Sequence, residues 1–199
     1  MIKLISKIIS VIFHPIFSPT IIFNLGLIIG YNDSLFNHFD WLLILLFFTN
    51  ICPIFILFIL KRSNVIDSYE MNTHKERVIP LLSSILFVLV GFYFLELTKA
   101  PIYLLLMYLG GVVLMFFISI ISYFYKISAH LAGIGGIYGA ILFYSILFNN
   151  FYTLLLVFYL LIAIIVSLAR FNLNAHTINQ LLLGFTLGIS IMFSFLFII

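Results

Sequence analysis

The chain is organised around the stretch Ala169–Gln180, which reads Ala-Arg-Phe-Asn-Leu-Asn-Ala-His-Thr-Ile-Asn-Gln and separates two long apolar runs. Charged residues make up only 8% of the sequence, yet this stretch holds an arginine and a histidine. Four residues recur at intervals of four, which predicts that they share one face of a helix: His176, Gln180, Gly184 and Gly188. The two glycines would admit a closely packed neighbouring helix. Because polar groups are costly beside lipid, the stretch predicts a functional site.

The composition predicts a membrane protein. Hydrophobic residues make up 65% of the 199 residues, and the mean hydropathy is +1.32, whereas soluble domains carry about 25% charged residues. A spanning helix needs about 20 apolar residues, so we predict one all-α integral membrane domain, residues 1–199, with six or seven transmembrane helices. The net charge of +3 is scattered over loops, which excludes a nucleic-acid partner. The single cysteine, Cys52, excludes an internal disulfide.

The apolar runs define the predicted topology. Residues 1–13 alternate Lys3 and Lys7 with isoleucines, and we predict that this segment lies on the membrane surface. Pro15 and Pro19 interrupt the run that follows, so the first pass is either kinked or re-entrant. The predicted runs cover residues 14–31, 41–60, 80–98, 101–121, 131–148, 151–169 and 181–199.

Three polar connectors are predicted to emerge on the same side of the membrane, because a helical hairpin separates each from the next. They are residues 61–79, 122–130 and 170–180. Their functional groups form a cationic set without a carboxylate cluster: Lys75, Arg77, Lys126, Ser128, His130, Arg170 and His176. Arginine and lysine suit phosphate oxygens, and histidines act near neutral pH as nucleophile, acid or base. This polar face therefore predicts a site for a lipid phosphate.

Two of these connectors carry a resemblance to a known family. Ile127-Ser128-Ala129-His130 resembles the Pro-Ser-Gly-His motif of the type 2 phosphatidic acid phosphatase and vanadium haloperoxidase superfamily. Its last motif is Ser-Arg, five residues, His, three residues, Asp, and Ala169-Arg170, His176 and Gln180 keep both spacings. The match covers about residues 126–190. The family's first motif is Lys, six residues, Arg-Pro, and the nearest candidate, Lys75 to Pro80, has a different spacing. With this candidate included, the motif-bearing core is about residues 61–199.

The resemblance implies a phosphoric ester or diphosphate hydrolase that needs no metal or other cofactor. It assigns to His176 the role of the nucleophile that forms a phosphohistidine, and to His130 the protonation of the leaving alkoxide. It assigns the phosphate oxygens to four residues: Lys75, Arg77, Ser128 and Arg170. Gln180 stands where the family has an aspartate. Its amide oxygen accepts an imidazole N–H but does not stabilise imidazolium charge as a carboxylate does. The implied substrate is a lipid phosphate or a polyprenyl diphosphate.

Other functions compete with this prediction. The main alternative is a non-catalytic binder or translocator of phospholipid headgroups that keeps the phosphate clamp, and a structural role in a larger complex is another. A membrane prenyltransferase is disfavoured, since that chemistry needs paired aspartate-rich, magnesium-binding motifs and the only aspartates are Asp33, Asp40 and Asp67. We predict a multi-pass protein of the bacterial cell (inner) membrane. Loop charges favour a cytoplasmic site, whereas the resemblance favours the outer face, and both stay open.

Overall fold

The residues that the computed structural model describes, 2–31, 38–69, 71 and 73–198, form nine α-helices and no β-strand. In chain order the helices are α1 Ile2–Ile12, α2 Ser18–Tyr31, α3 Phe39–Leu46, α4 Cys52–Arg62, α5 Val78–Leu97, α6 Ile102–Phe124, α7 Ala129–Leu147, α8 Thr153–Asn172 and α9 Ile178–Ser194. Short 3₁₀ turns occupy Pro15–Phe17, Lys75–Arg77 and Phe195–Ile198, and a π-helical turn occupies Phe47–Ile51. Asp33 lies outside the described residues.

The bundle has the length and surface of a membrane protein. Within the described ranges, six segments are long and apolar enough to cross a membrane, and α9 is a shorter apolar helix. The six are Ile2–Gly30, Phe39–Arg62, Lys75–Leu97, Ile102–Phe124, Ala129–Leu147 and Thr153–Asn172. Large apolar side chains cover the outside, where Leu154 is 83% and Phe124 is 76% exposed, as expected where lipid is the solvent. The predicted all-α, multi-pass bundle is confirmed.

Helix α7 lies at the centre of the bundle and packs most closely against α9. Their backbones approach at glycines on both helices: Gly135, Gly139, Gly184 and Gly188. A Cβ atom added to Gly188 would meet the carbonyl oxygen of Ala132 and would lie 2.5 Å from the amide nitrogen of Gly136. The close helix neighbour that the glycine spacing predicts is therefore confirmed.

The first pass is interrupted near its two prolines, as predicted. Helix α1 ends at Ile12, and the 3₁₀ turn Pro15–Phe17 connects it to α2. Helix α2 then follows α7, because a Cβ on Gly26 would contact Tyr144 and one on Gly30 would lie 2.5 Å from Phe148. This first pass therefore reaches the far end of α7 and does not turn back as a re-entrant segment would.

Helix α1 packs along α8 and turns its two serines into the protein. Ser6 and Ser10 are buried, whereas Ile5, Ile8 and Ile12 are exposed. An apolar outer face is what lipid favours. The amphipathic helix expected over residues 1–13 is present, and its polar side meets other helices of the bundle.

The three polar connectors meet at one end of the bundle, which confirms the predicted polar face. His74 Nδ1 donates a hydrogen bond to the carbonyl oxygen of Ser122 over 2.7 Å. Arg77 Nη1 donates to the carbonyl oxygen of Ile127 over 3.1 Å. Across the second and third connectors, the backbone N–H of Ser128 donates to the carbonyl oxygen of Gln180 over 3.3 Å.

The connectors are shorter than the sequence indicates. Helices α7 and α8 extend over His130 and Arg170, and α9 begins before Gln180, so all three occupy terminal helical turns. Of His130, Arg170, His176 and Gln180, only His176 lies in a connector. The prediction that it shares a helical face with Gln180 is therefore wrong, although the two side chains are in contact. The reason is that Thr177 caps α9: its hydroxyl accepts from the N–H of Gln180, and the Gln180 side chain accepts from the N–H of Thr177.

Candidate functional site

A cavity of about 700 Å³ opens among α1, α2, α5, α6 and α7 and reaches the connector before α9. One end is cationic or imidazole-bearing and is lined by Lys7, His14, Arg77, Lys126, His130, Arg170 and His176. No carboxylate appears among the described residues that line it. The local potential is therefore positive, and the cavity favours an anion.

The rest of the cavity is apolar. Its walls include Ile22, Phe23, Val88, Leu114, Ile118 and Met192. Val88 is ten residues along α5 from Val78, which places it about 15 Å deeper in the bundle at 1.5 Å per residue. The cavity therefore joins a cationic end, which suits a phosphate group, to an apolar interior, which suits a hydrocarbon chain.

His176 is held as a neutral ring with a defined proton. It is 6% exposed. Its Nδ1 lies 3.1 Å from Gln180 Oε1, and the N–H of Thr177 donates to the same oxygen over 3.2 Å. Because the backbone N–H is a donor only, the shared atom is an acceptor, and Nδ1 carries the imidazole proton. Nε2 keeps its lone pair, as a nucleophile or base requires.

The surroundings of His176 also oppose its protonation. Burial lowers the pKa of His176 to about 4, and the positive charges of Arg77, Arg170 and Lys126 act in the same direction. The hydrogen bond with Gln180 works against this shift but does not overcome it. The ring is therefore uncharged at pH 7.

This lowered pKa predicts how stability depends on pH. Between the unfolded value of 6.5 and the folded value of about 4, the unfolded chain binds more protons at His176 than the folded chain does, so stability falls on acidification through that window. We expect the melting temperature of the detergent-solubilised protein to drop between pH 7 and pH 4, and His176→Asn to show a shallower drop. Thermal unfolding of both proteins across this range is the measurement. Equal pH slopes would contradict the assignment.

His130 lies in the first turn of α7 and is held by the N-terminal helix. Its Nε2 donates to the carbonyl oxygen of Ser10 over 3.0 Å. The His14 ring meets it edge-on, with ring centroids 5.4 Å apart. Since Nε2–H is engaged by a carbonyl, any proton that His130 gives to a ligand must come from Nδ1.

Two arginines are anchored at the cationic end, and Arg77 retains donors for a ligand. Arg77 is 9% exposed and donates to two carbonyl oxygens, from Nη1 to Ile127 over 3.1 Å and from Nε to Met71 over 3.3 Å. Arg170, on the last turn of α8, donates from Nη1 to Ser10 Oγ over 3.4 Å. A guanidinium has five N–H donors, so Arg77 retains donors that suit phosphate oxygens.

Lys126 lies in the connector before α7 and lines the same cavity. Partial burial lowers its pKa, and the nearby charges of Arg77 and Arg170 lower it further. Lys126 also borders a second, open depression of about 570 Å³, together with His176 and Gln180. His176 therefore stands between an apolar cavity and a depression at the polar end.

Two residues that the resemblance assigns to phosphate do not line the cavity. Ser128 is fully buried, and its hydroxyl caps α7 by accepting from the N–H of Leu131 over 3.4 Å. Lys75 is exposed, with its Nζ 5.6 Å from the ring centroid of Tyr123. The structure thus brings together His176, Gln180, His130, Arg77 and Arg170, and it places Ser128 and Lys75 elsewhere.

Helix α1 supplies cavity residues that the sequence analysis missed. Lys7, Ser10 and His14 all line the cavity. A signal for them exists, since the polar residues of this segment follow helical spacing: Lys3, Ser6, Lys7, Ser10 and His14. That spacing was consistent with a helix on the membrane surface, and it equally fits a helix that turns its polar face toward a cavity.

The chain matches no protein-family model, no curated protein and no solved structure. Among the described residues, no group of three or more His, Cys, Asp or Glu side chains is placed to hold a metal ion. An inference about function therefore depends on the geometry of the cavity and on the spacing of the motifs.

Proposed function

We propose that the protein is a membrane-embedded phosphatase that hydrolyses a lipid phosphate or a polyprenyl diphosphate through a phosphohistidine on His176. The observation that carries the proposal is the buried, neutral imidazole whose Nδ1 proton is fixed by Gln180. This imidazole lines a cavity with Arg77 and Arg170 at one end and apolar walls beyond. The cations suit the phosphate group, and the apolar walls suit its hydrocarbon chain.

The chemistry uses residues at the cationic end in two steps. In the first, Arg77, Arg170 and Lys126 hold the phosphate oxygens while His176 Nε2 attacks phosphorus. The bond to the leaving oxygen breaks, and its electron pair stays on that oxygen. His130, which becomes protonated once the negative phosphate offsets the surrounding positive charges, supplies a proton from Nδ1–H. In the second step, water attacks the phosphohistidine, neutral His130 accepts a proton from it, and inorganic phosphate leaves. The depression beside His176 offers that water an open path to the ring.

The competing function is a binder or translocator of phospholipid headgroups. Gln180 favours it, because an amide does not stabilise the imidazolium-like charge that develops on His176 during phosphoryl transfer. Both functions predict binding of a lipid phosphate, but only the phosphatase predicts cleavage.

Phosphate release separates the two functions. Purified protein in detergent micelles is incubated with phosphatidic acid, phosphatidylglycerophosphate and a polyprenyl diphosphate, and inorganic phosphate is measured over time. We expect release from at least one of them. Saturable binding of these lipids without any release would establish the binder instead.

Substitution of Gln180 by glutamate tests whether the lack of a negative charge beside His176 limits the rate of phosphate release. Glutamate has nearly the same shape, so it keeps the contacts with His176 Nδ1 and the N–H of Thr177 and adds the missing negative charge. We expect the rate of phosphate release to rise by about tenfold or more, since a triad loses about 10⁴ in kcat when its aspartate becomes an amide. Gln180→Met, which removes the acceptor, should lower the rate. A rate that responds to neither substitution would show that Gln180 does not act on His176.

We also propose the bacterial cell (inner) membrane as the location, because spanning proteins of the bacterial outer membrane are β-barrels and this chain is helical. Separation of the two membranes by density, followed by detection of the tagged protein, tests it.

A further inference from the structure

We propose that Lys7, on the N-terminal helix, binds the phosphate group of the ligand and takes the place that the resemblance gives to Lys75. The inference deepens the proposed function by adding a binding residue to the same site. It depends on that function only for the choice of a phosphate ligand and does not require cleavage.

Lys7 is an exposed residue of α1 that lines the cavity. Ser6 is 3% and Ser10 is 7% exposed, whereas Leu4 is 64% and Val11 is 69% exposed. These two serines are therefore turned away from lipid. Lys7 precedes Ser10 by three residues and borders the buried face, although Leu4 and Val11, its neighbours on the other side, are exposed. Its side chain lines the cavity.

Ser10 connects α1 to both halves of the site. Its carbonyl oxygen accepts from His130 Nε2 over 3.0 Å, and its hydroxyl accepts from Arg170 Nη1 over 3.4 Å. Residues three apart on a helix have Cβ atoms about 5–6 Å apart. The Lys7 side chain, with four methylene groups, is long enough to bring its ammonium group beside a phosphate held by Arg170.

The positive charges that line the cavity favour an anion beside Lys7. Lys7 lines it together with Arg77, Lys126 and Arg170, and none of the described lining residues is a carboxylate. Among the described residues Lys7 has no hydrogen-bond or ion-pair partner. A phosphate monoester carries a charge of about −1.5 to −2 at pH 7, which offsets the repulsion among these cations. The Lys7 ammonium group offers it three donors.

Lys75 lies outside this arrangement. Arg77, two residues later in the same 3₁₀ turn, is buried and lines the cavity, whereas Lys75 is exposed beside Tyr123. Residues two apart on a 3₁₀ helix point in different directions, because the helix has three residues per turn. The first connector therefore supplies one cation to the cavity, and α1 supplies the other.

The test compares two lysines on one helix. Both lysines are exposed, but Lys7→Met removes a charge that lines the cavity, whereas Lys3→Met removes a charge one turn earlier, outside the cavity lining. Dissociation constants are measured by titration calorimetry for two probes, inorganic phosphate and phosphatidic acid in detergent micelles, and KM and kcat are measured wherever phosphate is released. Thermal unfolding verifies that each variant is folded, and Lys7→Gln is a second neutral variant in case Lys7→Met is not.

We expect Lys7→Met to weaken binding of phosphatidic acid about tenfold or more, as for the loss of a charge-assisted hydrogen bond. KM should rise in the same proportion. Lys3→Met should stay within about twofold of the wild type, and Lys7→Arg should recover most of the affinity. Weakening for both probes identifies phosphate in either form as the ligand group, and weakening for phosphatidic acid alone identifies a lipid headgroup.

The outcomes separate this inference from the proposed function. Equal binding by Lys7→Met, Lys3→Met and the wild type overturns the inference even if the wild type releases phosphate. Binding that depends on Lys7 without release from any lipid supports the inference and removes the phosphatase. A wild type that binds neither probe overturns both.

Discussion

Replacement of His176 by alanine is expected to lower the rate of phosphate release by at least about 10³-fold, because it removes the attacking nitrogen and leaves only binding and electrostatic stabilisation. The measurement is inorganic phosphate released from a lipid phosphate by purified protein. The wild type should also become labelled when its substrate carries radioactive phosphorus, and the label should be stable in base and labile in acid, as phosphohistidine is. His176→Ala should carry no label.

His38→Ala is the matched control. His38 stacks on Trp41 with ring centroids 4.1 Å apart, and Trp41 Nε1 donates to the carbonyl oxygen of Thr98, at the end of α5 opposite Arg77. His38 thus lies at the other end of the bundle, and the His38→Ala variant should release phosphate at the wild-type rate. Equal rates for both variants and the wild type would remove His176 as the nucleophile.

The second large effect is expected in the contact between α7 and α9. Gly188→Ala should lower the free energy of unfolding by about 3 kcal/mol, the upper end of the cost of overpacking. The reason is that the added methyl group would meet backbone atoms of α7, the carbonyl oxygen of Ala132 and the nitrogen of Gly136, which cannot rotate away. Thermal or denaturant unfolding in detergent measures it.

Gly111→Ala provides the control for the same change of residue. A Cβ atom on Gly111, within α6, has no neighbour inside 4 Å, so this variant should match the wild type or gain up to about 1 kcal/mol from helix propensity. Gly188→Ala should also weaken phosphate binding, because a shift of α9 away from α7 strains the hydrogen bond between Ser128 and Gln180. Equal stability of the two variants would contradict the close packing.

Topology and the meeting of the connectors were predictable from the sequence. Lipid requires long apolar runs, and helical hairpins return connectors to the same side, so counting crossings places the three connectors at one end of the bundle. The structure adds the contacts there, of Arg77 with Ile127 and of Ser128 with Gln180. The glycine spacing likewise predicts the approach of α9 to α7, since glycine exposes the backbone.

The direction of individual side chains was not predictable in the same way. An amphipathic helix has the same sequence pattern whether its polar face meets water or a polar cavity. The positions of Ser10 and Lys7 are therefore decided by the packing of α1 against α8, which the pattern does not show. Lys75 and Arg77 have similar chemistry, and a single 3₁₀ turn decides which is buried. The position of His176 depends on Thr177, whose capping of α9 starts the helix two residues after the histidine.

The capping of α9 has a consequence for how reactivity and folding are connected. One oxygen atom, Gln180 Oε1, both completes the first turn of the helix and determines which ring nitrogen of His176 is protonated. Fraying of that turn would release the imidazole to exchange between its two tautomers, so that Nε2 would no longer keep its lone pair in every molecule. The transmembrane packing would stay intact. The chemical state of the ring therefore reports on local order at a helix end, and solvent exchange at the Thr177 amide should rise as the population able to react falls.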